Sequence, residues 1–547
     1  MKGFSIHIEN QDFNPIFFFN KENDDSFVAD SPEILFVVEG VILNSKTLVL
    51  EYAAKNLQEL CLKLYPRFGA SLIKQLDGEF RGFIFDKIKN KAFVFTNQTA
   101  TQRVFYTKIN SKIFIDSDLF RLNLSLKNKG YRFLPDITNI YQLLCFGNML
   151  EDATPLQGVL KIPDGCFLEI DLANSRLSVK EYYSTKNIKP FDGNKSQAIN
   201  HLDEIFGDAI VKEYQKRNEL PCDSISFLSG GLDSRMALLY AIEKGHTPDL
   251  ALCFSQSKYW DEKISRKIAE DFNLNYSFIP LDGGSFLANI DHLTRVSEGT
   301  VHYTGAIHVQ HALGQMPGNP PYFFHSGQIG DGVLGGFNTA KTYRKPSLEK
   351  ITLNPQFLPK INNLEQILNQ YPTEEAFYLR NIAFSRTVLG SLVLGQKGYQ
   401  FSPFMTKDFM EFAISLPPEW KFNQAFYIHW LNEKCPQAAK YPWERTLLRP
   451  TAPWKTIVGD KIVKRLHKYG NLLLNRPLAN SMYPYEVYFK NSPQLQQVYK
   501  NYFDENLSRL DAWPELKQDA EMLFARNSFY YKSLAINILS VFKLYFP

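Results

Sequence analysis

A chain of 547 residues is longer than one ordinary hydrophobic core serves, so two or three domains are expected. Its 61 Lys and Arg against 57 Asp and Glu leave a formal charge of +4; this excludes the broad basic field of a nucleic-acid-binding surface and points to a small-molecule or peptide partner. With 44 Phe and 28 Tyr it is too aromatic to be disordered, and no window approaches about 18 uninterrupted apolar residues, so no membrane span is expected.

The N-terminal MKGFSIHIENQD lacks the apolar segment of a signal peptide. Up to about residue 185, short β-rich runs recur: ILFVVEG, FRGFIFD, KAFVFTN, RVFYTK, KIFIDSD and CFLEIDL, each bounded by Asn, Asp, Gly or Lys. TLVLEYAAKNLQELCLKLYPRFG and ITNIYQLLCFG between them carry helical periodicity. Residues 1–185 therefore read as an α+β domain of stacked, largely antiparallel sheets. Cys61, Cys145, Cys166, Cys222, Cys253 and Cys435 show no CxxC or CxH spacing, so neither a zinc site nor a disulfide framework is indicated, and reduced thiols in a cytoplasmic protein are expected.

The polar stretch Tyr183–Lys195, with Pro and Gly, reads as a linker. Residues 196–547 then alternate helix and apolar strand: a helix over Ser196–Arg217, a strand at Ser224–Leu228, a helix over Arg235–Lys244, a strand at Leu250–Phe254, a helix over Asp261–Asp271 and a strand at Tyr276–Pro280. Continuous apolar strands separated by helices imply βαβ units and a parallel sheet. After Asn354 the pattern is mostly helical, a layer expected to pack on that sheet.

The turn Ser229–Ser234, SGGLDS, lies at the C-terminal end of a parallel strand and the start of a helix, where open α/β sheets bind ligands. Gly230 and Gly231 permit a tight turn with exposed N–H groups, the helix N-terminus favours an anion, and Ser229 and Ser234 add hydroxyls. A phosphate suits this place. Asp233 beside it makes sense if it holds a divalent metal that bridges to the phosphates. The spacing is not that of a Walker A loop, since no Lys follows a second glycine.

SGGLDS resembles the pyrophosphate-binding loop of the adenylate-forming PP-loop ATP pyrophosphatases. Within them the chain resembles the asparagine synthetase group, which includes β-lactam synthetases and lasso-peptide cyclases. A second segment, Ser326–Phe337 (SGQIGDGVLGGF), is similar to that group's SGEGxDExFGG, with YFFH as the preceding strand. The resemblance implies ATP and Mg²⁺ as cofactors, with Ser229, Gly230, Gly231, Leu232, Asp233, Ser234, Ser326 and Gly327 around the nucleotide. It also implies Phe227, Phe254 and Ser255 around the adenosine, and Asp233 and Asp331 on the metal. FSPFMTKDFMEFAISLP, 401–417, resembles the group's PFLD helix region, so the likeness runs over roughly 196–450.

Departures from that pattern bear on chemistry. Gln328 stands where the group has a Glu near the reacting acyl centre, and Gly332 replaces a second acidic residue; a neutral Gln orients a group but accepts no proton. The group's pyrophosphate Lys falls near WERTLLRPTAPWK, where alignment places Thr446, leaving Arg449, Arg445 or Lys455 as the cation. His308, in HYTGAIHVQHALG, is a candidate base on the acceptor side.

The β-rich half resembles the group's N-terminal-nucleophile glutaminase domain through EGVILN, LDGEFRGFIFD, RVFYTK, FIDSDLF and LQGVLKIPDGCFLEI, in order. Glutamine hydrolysis there needs a Cys that uses its own α-amine as base. The chain reads Met1-Lys2-Gly3-Phe4, with Lys where the Cys belongs, so this domain is expected to be a degenerate scaffold. The whole then reads as an ATP-dependent, AMP-forming amide or lactam ligase. Its expected partners are a carboxylate-bearing small molecule or peptide and an amine carried on the same substrate. Ammonia-dependent amidation of a small acid or sugar acid, and a non-catalytic nucleotide-binding protein, are the alternatives; a homodimer or a complex with a pathway enzyme stays open.

Overall fold

The computed structural model describes residues 2–19, 24–318, 320–474 and 481–546, with 467–474 by backbone alone; Met1 lies outside the described residues. The N-terminal strands are β1 (Phe4–Glu9), β2 (Asp12–Phe17), β3 (Phe27–Asp30), β4 (Ile34–Ile42), β5 (Gly78–Asp86), β6 (Lys91–Thr96), β7 (Phe105–Ile109), β8 (Lys112–Asp116), β9 (Val159–Lys161), β10 (Cys166–Asp171) and β11 (Arg176–Glu181). They form two antiparallel sheets, ordered β2-β1-β8-β7-β9 and β11-β10-β6-β5-β4-β3. Strand alternation sends Leu35, Val37 and Phe83 against Phe4, Ile6 and Ile8 of the other sheet. Their neighbours Phe36, Val38, Phe80 and Ile84 face the opposite way, against Leu60 and Leu64 of α1 (Leu57–Phe68). A strand covered on both faces must be apolar throughout, which is why ILFVVEG shows no alternation.

The helical run TLVLEYAAKNLQELC is two helices, not one. Ser45–Glu51 ends before Ala53, whose φ is 48°, and α1 begins afresh with the Asn56 side chain accepting the Glu59 N–H. A buried carboxyl, Glu79 on β5, accepts from the Thr101 hydroxyl and is pushed up by burial to about 8 from the ordinary 4.5. The folded chain thus holds this proton more tightly than the unfolded chain, so its contribution to stability falls as pH rises from about 4.5 to about 8. Glu79→Gln is expected to flatten that part of the fall, read as melting temperature against pH for both proteins.

Beyond α2 (Ile137–Phe146), α3 (Lys195–Arg217) opens the second half with a capping box between Asn194 and Gln197. The strands β12 (Asp223–Phe227), β13 (Leu250–Ser255), β14 (Tyr276–Pro280), β15 (Tyr322–His325) and β16 (Gly398–Phe401) form one parallel sheet, ordered β14-β13-β12-β15-β16. Helices α4 (Leu232–Glu243) and α5 (Trp260–Asp271) connect its strands, α6 (Ile307–Gln315) precedes β15, and α7 (Ala425–Lys434), α8 (Pro453–Leu474) and α9 (Phe529–Tyr545) belong to the helical layer. The α4 helix begins at Leu232, three residues before the expected Arg235, because Gly231 takes the N-cap position. Among the described residues, the mostly helical text after Asn354 conceals one strand, β16. The largest core cluster runs from Phe105 to Tyr545 and α9 packs on α2, so the two halves share apolar interior. Among the described residues no helix is long and apolar enough to cross a membrane.

Candidate active site

The centre of the parallel sheet ends in a crowded turn. β12 lies between β13 and β15, and its chain leaves through Ser229–Gly231 into α4. A side chain at Gly230 would place Cβ 2.7 Å from Glu444 Cβ, so only glycine fits. The Ser229 and Ser234 hydroxyls lie 2.9 Å apart, Gly231 N–H donates to Ser229 Oγ at 3.1 Å, and Gly230 N–H donates to Asp261 Oδ1 at 2.9 Å. These bonds fix the loop while the first turn of α4, carrying Asp233 and Ser234, presents the helix N-terminus.

The second segment closes on that turn from β15. Ser326 Oγ donates to Phe401 O at 3.1 Å, and a Cβ on Gly327 would lie 2.3 Å from the Asp233 carbonyl carbon and the Ser234 nitrogen. Glycine at 327 therefore lets the two segments touch. Asp331 N–H donates to Asp233 Oδ2 at 2.8 Å, while Asp233 Oδ1 is shut off from solvent without a well-formed hydrogen bond, the Tyr427 hydroxyl being the polar group beside that carboxyl. Burial, and then the charge of Asp331, push the Asp233 carboxyl well above the usual range. The protein packed around Asp331 raises its carboxyl too, opposed by the charges of Arg445 and Lys350.

A cavity of about 290 Å³ opens between these segments, lined by Ser229, Gly231–Ser234, Gly327 and Asp331, and on its far side by Gln424, Tyr427 and Trp443–Arg445. Two adjacent carboxylates, one with an orphaned oxygen, form a donor set that a divalent cation would relieve. Among the described residues no three His, Cys, Asp or Glu side chains converge as a metal cluster. Such a cation would take its other oxygens from phosphate and water, as Mg²⁺ does. The residues present fit Mg²⁺ with a polyphosphate.

Of the three cations proposed for the leaving group, only Arg445 lines the cavity; its Nε donates to Asp460 Oδ1 at 3.0 Å. Lys455 instead donates to Thr451 Oγ1 at 2.8 Å, and Arg449 is solvent-exposed outside the lining. Thr446 is buried. Lys350, which stands in no motif, acts electrostatically on Asp331 and lies 5.7 Å from the ring centres of Phe337 and Tyr378. Glu444, equally unmarked by any motif, has its Oε2 buried without a partner, and burial pushes its carboxyl up to about 7.

Phe227 and Phe254 meet edge to face at 5.8 Å, and Phe227 stacks on Phe324 at 5.7 Å. Ser255 is buried, its Oγ donating to Gln256 O at 2.9 Å. His308 stacks on Tyr483 at 4.4 Å, bonds Tyr485 OH through Nδ1 at 3.0 Å, and is pushed down to about 3 by burial. It is a neutral packed imidazole outside the cavity lining. Gln328 is held at both ends of its amide, Nε2 donating to Thr387 O at 2.7 Å and Oε1 accepting from Ser391 Oγ at 2.7 Å; it too stands outside the lining.

In the N-terminal sheets, Lys2 precedes Gly3 at the head of β1. Its ammonium lies 3.2 Å from Tyr399 OH and 3.4 Å from Asp24 Oδ2, and its carbonyl accepts from Arg81 Nη2 at 2.9 Å. All six cysteines are free, and burial pushes Cys222 up to about 11 and the other five to about 12.

Residues 19–183 match the glutamine amidotransferase domain family. The chain is 25% identical over 370 residues, 64% of its length and 69% of the relative's, to a protein provisionally named asparagine synthetase [glutamine-hydrolyzing] 2 of Methanocaldococcus jannaschii. It is 23% identical over 268 residues, 45% of its length and 34% of the relative's, to asparagine synthetase [glutamine-hydrolyzing] 2 of Bacillus subtilis. Among solved structures, the allosteric regulatory enzyme of purine biosynthesis matches at 8% identity with a TM-score of 0.23, over 42% of this chain and 54% of that one.

Proposed function

We infer that this chain, an asparagine synthetase-like protein, is an ATP-dependent, AMP-forming ligase that joins a carboxylate to an amine carried on its own substrate. The observation that carries the reading is the pairing of Asp233 and Asp331 beside the Ser229–Ser234 loop, in the lining of a cavity that Arg445 also lines. Mg²⁺, when bound, would neutralise polyphosphate charge. Asp233 and Asp331 would hold that ion, and the α4 N-terminus with the Ser229 and Ser234 hydroxyls would hold the β- and γ-phosphates. The substrate carboxylate oxygen attacks the α-phosphorus, the bond to the bridging oxygen breaks, and pyrophosphate leaves with its charge offset by Arg445. The amine nitrogen then attacks the acyl carbon, AMP departs and the nitrogen loses its proton, giving the amide. Holding both reactants side by side converts this step to an effectively unimolecular one.

The same reading assigns no glutaminase step to the N-terminal sheets. A lysine stands before Gly3, and every thiol is held protonated in the protein interior or at its margin. Glutamine is expected to support neither glutamate release nor product formation, a result checked by assaying glutamate with ATP and acceptor present. Glutamate release at a rate matching ATP use would contradict it. The reading as a whole is tested by pyrophosphate release from Mg-ATP with pooled carboxylate and amine candidates and with ammonium tested separately. Release that depends on a carboxylate and needs no ammonium is the expected result; release that needs ammonium moves the assignment to ammonia-dependent amidation, and absence of ATP binding removes it.

A further inference from the structure

Arg235 stands in the first half of α4, two residues after Asp233, and is fully buried. Its guanidinium makes four hydrogen bonds, all to main-chain carbonyls. Nη1 donates to Ala438 O at 3.0 Å and Tyr441 O at 3.1 Å; Nη2 donates to Gly230 O at 2.8 Å and Pro442 O at 2.7 Å. One of these carbonyls belongs to the phosphate loop and three to the segment that runs into Trp443, Glu444 and Arg445. The two stretches are about two hundred residues apart in sequence, and this planar fork is where they are tied. Glu444 N–H adds a bond to Gly230 O at 3.3 Å, and the absence of a side chain at Gly230 permits the contact. From the other side, Asp261 Oδ1 holds the Gly230 N–H.

A guanidinium with no hydrogen-bonded carboxylate, removed from water, is an expensive way to fasten a loop, since uncharged donors satisfy carbonyls at lower desolvation cost. What it adds is a rigid multi-point fastening and a positive charge beneath a cavity lined by Asp233, Asp331 and Glu444. We propose that Arg235 is a positioning residue that clamps the 438–445 segment onto the phosphate loop and so presents Arg445 to the departing pyrophosphate. The proposal rests on the nucleotide reading of the cavity and deepens it: the phosphate-binding lining depends on the clamp, whereas the Phe227–Phe254 pair, which stands outside that lining, does not. Lysine cannot reproduce the clamp, because a single ammonium cannot serve four carbonyls spread across the fork.

The test compares binding of Mg-pyrophosphate and of AMP, each by calorimetry, in the wild type, Arg235→Lys, Arg235→Met and Arg445→Ala. The expected result for Arg235→Lys is a loss of pyrophosphate affinity of about tenfold or more with AMP affinity kept within about twofold. In the Arg445→Ala background, Arg235→Lys should add little further loss, because both changes remove the same presented cation. A general loosening of the fold would instead weaken both ligands together, and that outcome overturns the proposal, as do unchanged pyrophosphate affinity and effects that simply multiply. If Arg235→Met fails to fold, Arg235→Lys and Arg445→Ala decide. Failure of the wild type to bind Mg-ATP, Mg-pyrophosphate or AMP would remove the nucleotide reading itself, which is a different result from a wild type that binds and a variant that binds equally well.

Discussion

Asp233→Asn is expected to lower carboxylate-dependent pyrophosphate release by about 100-fold or more, the scale seen when one group that stabilises transition-state charge is removed. The substitution keeps the shape of the side chain and deletes the charge that would hold the metal. Because Asp233 sits beside Asp331 with one oxygen orphaned, the nucleotide-free protein should melt no lower than the wild type: an uncharged amide relieves the repulsion. The binding readout moves the other way. Mg-ATP at about 100 times its dissociation constant stabilises a folded protein by about 2.7 kcal/mol, and the variant is expected to lose most of that gain in a thermal shift. Full activity, or an unchanged thermal shift, would remove Asp233 from the metal.

Lys421→Met is expected to destabilise the protein by about 3–5 kcal/mol, the usual effect of stripping one partner from a buried ion pair. Lys421 is fully buried, its Nζ 2.5 Å from Glu375 Oε1 and donating to Ala413 O at 2.7 Å. Asn338 Nδ2 donates to the other oxygen of Glu375 at 3.4 Å, and a Cβ on Gly335, at φ 123°, would lie 2.0 Å from Lys421 O. The pair therefore underpins the end of the Ser326–Phe337 segment. With the lysine gone Glu375 must take up a proton or stay charged without a partner; Lys421→Met with Glu375→Gln should recover much of the loss. Thermal unfolding of the single and double variants checks both statements, and equal melting of Lys421→Met and wild type would contradict them.

What the sequence shows and what it hides at this site have separate physical causes. The Ser229–Ser234 turn is readable because strand, turn and helix start are all encoded within about twenty residues, and glycine at 230 answers a contact only glycine allows. The α1 break was readable in principle: Asn56 and Glu59 carry a capping spacing that the continuous apolar periodicity obscures. β16 was hidden because GYQF is four residues long, and its pairing with β15 rests on Gly398 standing close to Tyr322 O. Arg235, Lys350 and Glu444 carry no local signal at all. Each matters only because the chain returns to the loop from residues far along the sequence, and no spacing rule encodes such a return. The reverse also holds: Gln328 and His308 stand in suggestive motifs, yet both amide atoms of Gln328 are engaged by Thr387 and Ser391, and Nδ1 of His308 by Tyr485.

Attack of the substrate carboxylate itself on the α-phosphorus is read directly by oxygen labelling. With a turning-over substrate whose carboxylate carries ¹⁸O, one labelled oxygen should appear in AMP for each amide formed, measured by mass spectrometry of the nucleotide, and none in pyrophosphate. AMP without label, or label in inorganic phosphate beside ADP, would contradict adenylation.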